Sequence, residues 1–216
     1  MSNSSQYAVT AKQGYGLAVT ADASRTAPTI APYVYPSGLT GSRIDHINMV
    51  GVGATIASVV RLFLVPGFVG GTIASITFST TTATVTTSVS HGLSTGAKIV
   101  VQNALPFNYN VQDVAITVTG LTTFTYTMSA APTVNATSVG YYIYTTATPT
   151  FELWSETLVT AITPSTTVAT FTANLSSAAN TSQMPLWLPA GWSLRCSMND
   201  TQAGGGVGVF ANGGDF

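Results

Sequence analysis

Two separated stretches, Ser58–Val65 (SVVRLFLV) and Phe151–Glu156 (FELWSE), set the architecture that we predict for this chain. The first is rich in β-branched and aromatic residues and stops at the turn dipeptide Pro66–Gly67, which indicates a strand. The second alternates apolar and polar residues, which also predicts a strand. We interpret Arg61–Val65 and Phe151–Trp154 as the two arms of one hairpin. Residues 68–148 would then be inserted at its tip, where long insertions are tolerated.

Short strand patterns run through the insertion and through both flanking segments, and no stretch has a convincing helical period. The fold class predicted is therefore all-β. Residues 31–67 and 149–216 would form one discontinuous antiparallel β-sandwich, and residues 68–148 a small inserted β-sandwich or barrel. The strands predicted in the insertion are Ile73–Phe78, Ala83–Val89, Lys98–Gln102, Val114–Thr119, Phe124–Met128 and Val139–Tyr144.

Residues 1–30 are small and polar, and they lack the periodicity of a packed element. Gly14, Gly16 and Pro28 act as breakers in this pattern. Two interpretations stay open. The segment is either a flexible terminus or an extended arm that becomes ordered only when it lies across a neighbouring subunit.

The charge content is unusually low, because Asp, Glu, Lys and Arg together make up only 6% of the 216 residues. A soluble monomer normally covers its surface with about a quarter charged residues. A nearly neutral, hydroxyl-rich surface repels little and tolerates crowding against other subunits, so the composition points to an assembly. The net charge of −1 and the scattered basic residues argue against binding of nucleic acid.

The single cysteine, Cys196, cannot form an intrachain disulfide, and we expect it to be a buried structural thiol. The N-terminal sequence has no signal-peptide pattern. No apolar run reaches the ~18 residues that a transmembrane helix needs. The expectation is a protein that is assembled in a reducing cytoplasm and does not enter a membrane.

Several motifs in the flanking segments resemble those of a class of tailed-phage virion proteins. They are Gly41–Ile47, Val60–Leu64, Leu188–Arg195 and Gly213–Phe216. The insertion resembles a small module that recurs in phage tail and capsid proteins, through His91–Lys98 (HGLSTGAK) and Thr123–Tyr126 (TFTY). The resemblance covers most of residues 40–216.

This resemblance implies a jelly-roll-like sandwich that forms trimers and acts as a structural part of a virion. The leading hypothesis is a capsid decoration or cement protein, with itself and the major capsid protein or another virion protein as partners. One alternative is a tail, neck or fibre component. Another is a carbohydrate- or receptor-binding module that recognises a host-surface glycan through the aromatic residues of the insertion, namely Tyr109, Tyr126, Tyr141 and Tyr142.

Titratable residues that could form a catalytic or metal site are scarce, so we expect no enzyme, no cofactor and no metal site. Glu152 and Glu156 are four apart on a strand, which would place both on one face beside Trp154, as in a glycosidase cleft. A solvated strand face is the simpler interpretation. The two histidines, His46 and His91, lack further ligands nearby in sequence. We expect His91 to orient a turn by a hydrogen bond from its side chain to the backbone.

The remaining candidates are structural or interface residues. We expect each strand arginine in so uncharged a chain to be paired, with Asp45, Glu156 or Asp215 as partners. The two tryptophans that flank Leu188–Gly191 are either core residues or interface anchors. The full set of candidates is Arg43, Arg61, Trp187, Trp192, Arg195, Asp215 and Phe216.

Overall fold

A computed structural model describes residues 10–145, 149–175 and 185–216. These residues form β-strands and one 3-10 turn at Phe107–Tyr109, which confirms the all-β prediction. The described strands are β1 Thr10–Ala18, β2 Tyr33–Pro36, β3 Ser42–Gly53, β4 Ser58–Val65, β5 Phe68–Ser79, β6 Thr82–Thr87, β7 Lys98–Leu105, β8 Val111–Ala115, β9 Thr117–Gly120, β10 Thr123–Thr127, β11 Ser138–Thr145, β12 Glu152–Val159, β13 Thr172–Asn174, β14 Leu186–Leu188, β15 Ser193–Met198 and β16 Gly205–Asp215.

The chain divides into two compact units. Unit 1 comprises Met1–Pro66 with Thr150–Phe216, and unit 2 comprises Gly67–Pro149. The sequence pattern had suggested an insertion at residues 68–148. Unit 2 thus begins and ends one residue outside those limits.

Unit 1 is a β-sandwich. One sheet has the order β1-β16-β3-β13, with β14 also pairing with β3, and the other has the order β12-β4-β15-β2. Alternate residues of these strands point between the sheets and form one apolar core, to which Ile47, Val209 and Leu194 belong. Burial of this apolar surface is the main favourable term that holds the two sheets together.

The predicted hairpin is present. Strand β12 pairs antiparallel with β4, so that Leu153 lies opposite Phe63 and Glu156 lies opposite Arg61. The pairing of these two strands brings together segments that the insertion separates in sequence, which confirms the interpretation of Phe151–Trp154 and Arg61–Val65 as two arms.

The prediction of an arm over residues 1–30 is wrong for residues 10–18, which form β1 and pair with β16 in the same unit. Residues 1–9 lie outside the described residues. Gly14 and Gly16 are glycines because β1 lies close to β2: a Cβ atom on Gly14 would be 2.0 Å from the Val34 carbonyl oxygen. The two glycines therefore permit close packing inside the sandwich and do not break the strand.

Unit 2 is a seven-stranded antiparallel sheet with the order β8-β7-β11-β5-β6-β10-β9. The sheet curls, since β8 approaches β10, and it encloses a core of its own. The loop between β7 and β8 is fixed by Asn110, whose side-chain amide donates to the carbonyl of Ala104 and accepts from its N–H. The Asn110 amide thus continues the pairing of β7 for one residue.

Candidate interaction face

The outward side chains of β1, β16, β3 and β13 form a surface that we call the open face. In one row across it, Tyr15 lies opposite Phe210, Phe210 opposite Asn48, and Asn48 opposite Asn174. Tyr15 is 44% exposed and Phe210 is 39% exposed. Because the inward side chains of the same strands are in the core, the sandwich holds this aromatic and amide surface in a fixed position.

The end of the open face near β14 is a corner built from two aromatic rings. Trp187 is 49% exposed and stacks on Phe216, with ring centroids 5.3 Å apart and planes 14° apart. Arg43 lies opposite Trp187, and its Nε atom is 2.8 Å from Oδ1 of Asp45. The N–H is not aimed at that oxygen, so the contact is an ion pair rather than an aligned hydrogen bond. Sequence reasoning had named Arg43, Trp187 and Phe216, and the sandwich brings the three together.

Asp215, another candidate, lies beneath this corner and has a structural role. Its carboxylate accepts hydrogen bonds from the Ser42 hydroxyl and from Nζ of Lys12, which is 3.2 Å away. Burial lowers the pKa of Lys12, while the nearby Asp215 acts to raise it. The predicted arginine partner of Asp215 is therefore wrong: this carboxylate joins β1, β3 and β16 through Lys12 and Ser42.

The outward side chains of β12, β4, β15 and β2 form a second surface, the arginine face. Arg61 is only 4% exposed there, and its Nε atom donates to Glu156 at 2.8 Å. Glu156 also accepts from Arg25, and Arg61 donates to the side chain of Asn199. Partial desolvation acts to raise the pKa of Glu156, but hydrogen bonds from Arg61 and Arg25 outweigh it and lower this pKa. Arg43 and Arg61 are thus each paired with one of the carboxylates named as candidate partners.

Arg195, also on the arginine face, has no carboxylate partner among the described residues. It is 5% exposed, and its guanidinium lies 3.9 Å from the centroid of the Tyr33 ring. It donates to the Tyr33 hydroxyl at 2.5 Å, and the Phe151 ring lies on it at 5.8 Å. The prediction of an acidic partner for Arg195 is thus wrong, because aromatic rings and a hydroxyl stabilise this cation instead.

Trp192 and Cys196 belong to the core side of unit 1. Trp192 is partly buried and packs against the core cluster, so it is the core residue of the tryptophan pair and Trp187 is the exposed one. Cys196 is fully buried, as predicted. Burial raises the pKa of its thiol to about 12, which keeps the sulfur protonated and unreactive at neutral pH.

The paired carboxylates of a glycosidase are not formed. Glu152 lies opposite Leu64 and Glu156 opposite Arg61, and the strand register shifts at Trp154 between them. Opposed residues of an antiparallel pair share a face, and Leu64 and Arg61 are an odd number of residues apart. The two carboxylates therefore point to opposite faces, and the prediction that they share one is wrong because of this bulge.

His91 takes part in a turn, and its hydrogen bonds show how. His91 accepts a hydrogen bond from the Leu93 N–H at Nδ1, so Nε2 carries the proton and donates to the Gly120 carbonyl. This confirms its predicted role in orienting a turn. Residues 10–145, 149–175 and 185–216 hold no group of three or more His, Cys, Asp or Glu that could bind a metal ion.

The aromatic residues proposed for glycan binding in unit 2 are not available on its surface. Tyr109, Tyr126, Tyr141 and Tyr142 are all buried, with none more than 6% exposed. The hydroxyl of Tyr109 donates to the Val134 carbonyl, and the hydroxyl of Tyr126 donates to the Tyr109 carbonyl. Because all four side chains are buried, the prediction that they form a binding surface is wrong.

Tyr15 and Phe210, the aromatic centre of the open face, were not predicted from the sequence as site residues. A signal was present, since Gly14–Tyr15–Gly16–Leu17 alternates small and large residues with the period of a strand. The glycines are inward and the large residues outward, which is the reverse of an ordinary sandwich strand. Glycine in a strand marks close approach of another backbone, and this criterion would have placed β1 in the sheet.

No helix among the described residues is both long and apolar enough to span a membrane. No protein-family model, no curated protein and no solved structure matches this chain.

Proposed function

We propose that this chain is a non-enzymatic structural component of a tailed-bacteriophage virion, specifically a capsid decoration protein. In this proposal it is assembled in the host cytoplasm and binds the head surface as a homotrimer through the Trp187–Phe216 corner. The major capsid protein, or another virion protein, is the partner. The family resemblance of the flanking motifs suggests the virion, and the corner suggests how the chain would attach.

The observation that carries the proposal is the exposed stack of Trp187 on Phe216. It lies next to Arg43, whose charge is already neutralised by Asp45. Exposed aromatic residues beside a guanidinium are typical of the centre of a protein interface. Arg43 is compensated by Asp45 within the chain, so a partner could cover both without having to supply a charge.

The use of charge elsewhere in unit 1 also supports the proposal. Lys12, Arg25, Arg43 and Arg61 each have a carboxylate partner in the same unit. Ionised residues are few, while large apolar side chains such as Leu158 and Trp187 are exposed. A surface of this kind associates readily with other protein surfaces.

The proposal is tested by measuring how much of this chain is bound to purified phage virions. We expect quantitative mass spectrometry of gradient-purified particles to detect the wild-type chain in a fixed ratio to the capsid protein. Trp187→Ala should lower occupancy at least about tenfold, as truncation of an interface anchor does. Leu158→Ala is the matched control, since Leu158 is also exposed but lies on the arginine face, and its occupancy should be unchanged.

Two further measurements complete this test. Antibody labelling of particles should mark the head, whereas labelling of the tail would replace the decoration role by a tail or neck role. Light scattering of the purified chain should give about three times the 22.2 kDa mass of one chain. The chain's absence from particles, or a normal occupancy of Trp187→Ala, would contradict the proposal.

A further inference from the structure

The centre of the open face contains a shallow groove with a volume of about 520 Å³, which is within the range of small-molecule sites. It lies beyond the Trp187–Phe216 corner along the same strands and is distinct from it. Its lining consists of Gln13, Gly14, Tyr15, Asn48, Val50, Phe210 and Asn212.

Two aromatic rings form the apolar part of this groove. The centroids of Tyr15 and Phe210 are 4.8 Å apart, and their planes are inclined by 41°. Both rings lie against Gly208, where a Cβ atom would be 3.0 Å from the Tyr15 ring and 3.1 Å from the Phe210 ring. The glycine leaves the space in which the two side chains lean over the sheet. The rings are therefore oriented before any ligand arrives, which reduces the entropy cost of binding.

Three amide side chains border the rings. Asn48 is the neighbour of Phe210 in the same row, and Asn212 lies opposite Gln13 in the next row. Each amide carries one oxygen that accepts and an NH₂ group that donates two hydrogen bonds. Together they offer paired donors and acceptors on the periphery of an apolar platform.

The groove carries no ionised side chain, because its lining includes no Asp, Glu, Lys, Arg or His. The nearby charges are engaged elsewhere, Lys12 with Asp215 and Arg43 with Asp45. Phosphates, nucleic acids and acidic sugars need cationic partners, so this lining does not suit them. Hydrolysis of a sugar would need two carboxylates, and the lining has none.

We propose that this groove binds a neutral oligosaccharide without cleaving it. A hexose ring has an apolar face of C–H groups and a periphery of hydroxyls that both donate and accept. The C–H face would pack on Tyr15 and Phe210, and the hydroxyls would bond to Asn48, Asn212 and Gln13. The binding module that we had predicted for unit 2 is thus assigned to unit 1. The proposal does not depend on the role in a virion.

The experiment is binding of the full chain to an array of neutral gluco-, galacto- and manno-oligosaccharides, followed by calorimetry with the best soluble probe. We expect specific binding by the wild type. Asn48→Ala and Phe210→Ala should each weaken it at least about tenfold. Trp187→Ala, in the corner, should keep it within about twofold, so that the two proposals fail independently. Because no ionised group takes part, affinity should change less than about twofold between low and high salt.

Several outcomes would overturn the proposal. These are no neutral glycan bound above background, a preference for acidic glycans, or equal binding by wild type and Asn48→Ala. If Asn48→Ala fails to fold, Gln13→Ala tests the same site on the edge strand β1, where the side chain is exposed. Light scattering of Phe210→Ala tests whether a second copy of the chain occupies the groove instead. If the wild type is an oligomer and the variant is not, a second copy covers the groove and the glycan proposal is wrong.

Discussion

The two outer faces of the sandwich use their side chains in opposite ways. On the arginine face the cations Arg61 and Arg195 are buried, and Phe63 between them is fully buried. On the open face the central aromatic residues, Tyr15 and Phe210, are exposed to about two-fifths of their surface. Ordinary soluble proteins show the reverse, with charge outside and aromatic residues inside.

Charge in this chain therefore has a structural role. Arg25 and Glu156 join the segment after β1 to β12, and Arg61 joins β4 to the same carboxylate. Of these three residues only Arg61 is buried, while Arg25 is exposed and Glu156 is half-buried. A buried, hydrogen-bonded charge such as Arg61 specifies how elements pair more than it adds stability. The open face needs no such device, because its strands are fixed by their inward residues.

The largest expected effect comes from truncating the same residue type on both faces. Phe63→Ala should lower the free energy of unfolding of unit 1 by about 3–5 kcal/mol, since Phe63 is fully buried against Phe151. Phe210→Ala should cost less, about 1–2 kcal/mol, because about two-fifths of its surface already contacts water. Urea denaturation followed by tryptophan fluorescence reads unit 1 alone, since Trp154, Trp187 and Trp192 all belong to it. Equal losses would mean that the two faces do not differ in burial.

A smaller effect is expected from adding one methyl group to each side of the five-stranded sheet. Gly14→Ala places a Cβ atom against the Val34 backbone oxygen, which cannot move without shifting β2, and should cost about 1–3 kcal/mol. Gly208→Ala meets only the ends of the Tyr15 and Phe210 rings and should cost less than about 1 kcal/mol. The same urea titration distinguishes them. A harmless Gly14→Ala would remove the reason given for β1 being rich in glycine.

Much of the fold could be predicted because its signals are local. The β-branched run at Ser58–Val65 and its partner at Phe151–Trp154 indicated the hairpin, and the pairing of β4 with β12 agrees. Strand β1 was not predicted because its glycines are required by the close approach of the Val34 backbone, which is distant in sequence. A local pattern cannot show that such a glycine marks close packing, and it then resembles a turn signal.

The candidate site was predictable only in part, for the same physical reason. Arg43, Trp187 and Phe216 were named for their chemistry, and pairing through β3 brings them together. The groove was not foreseen, since Tyr15 and Phe210 come from opposite ends of the chain and become neighbours only when β1 pairs with β16. The bulge at Trp154 likewise reverses the face on which Glu156 lies, and no local property of the sequence FELWSE predicts this bulge.

The smallest expected effect is a change of stability at low pH. It should occur on the side of the arginine face, where charged groups hold the elements together. Asp22 accepts hydrogen bonds from the main chains of Ser24, Thr29 and Ile30 and from the Thr29 hydroxyl. Burial acts to raise the pKa of Asp22, but these hydrogen bonds outweigh it and lower this pKa below its ordinary value. A lowered pKa stabilises the folded state above the unfolded value near pH 4, and this contribution is lost as the pH falls through the folded value.

Asp22→Asn should therefore cost about 1 kcal/mol at neutral pH, since an amide cannot replace the second acceptor oxygen, and almost nothing near pH 2. Thermal melting of wild type and variant across this range measures the difference. The neutral Asn48→Ala on the open face is the control, and its difference from wild type should vary less with pH than that of Asp22→Asn, because the groove that Asn48 lines includes no Asp or Glu. If the Asp22→Asn gap stayed constant down to acid, the carboxylate would be contributing shape rather than charge. The assignment of charge to the arginine side of the sandwich would then rest on the Arg25–Glu156–Arg61 network alone.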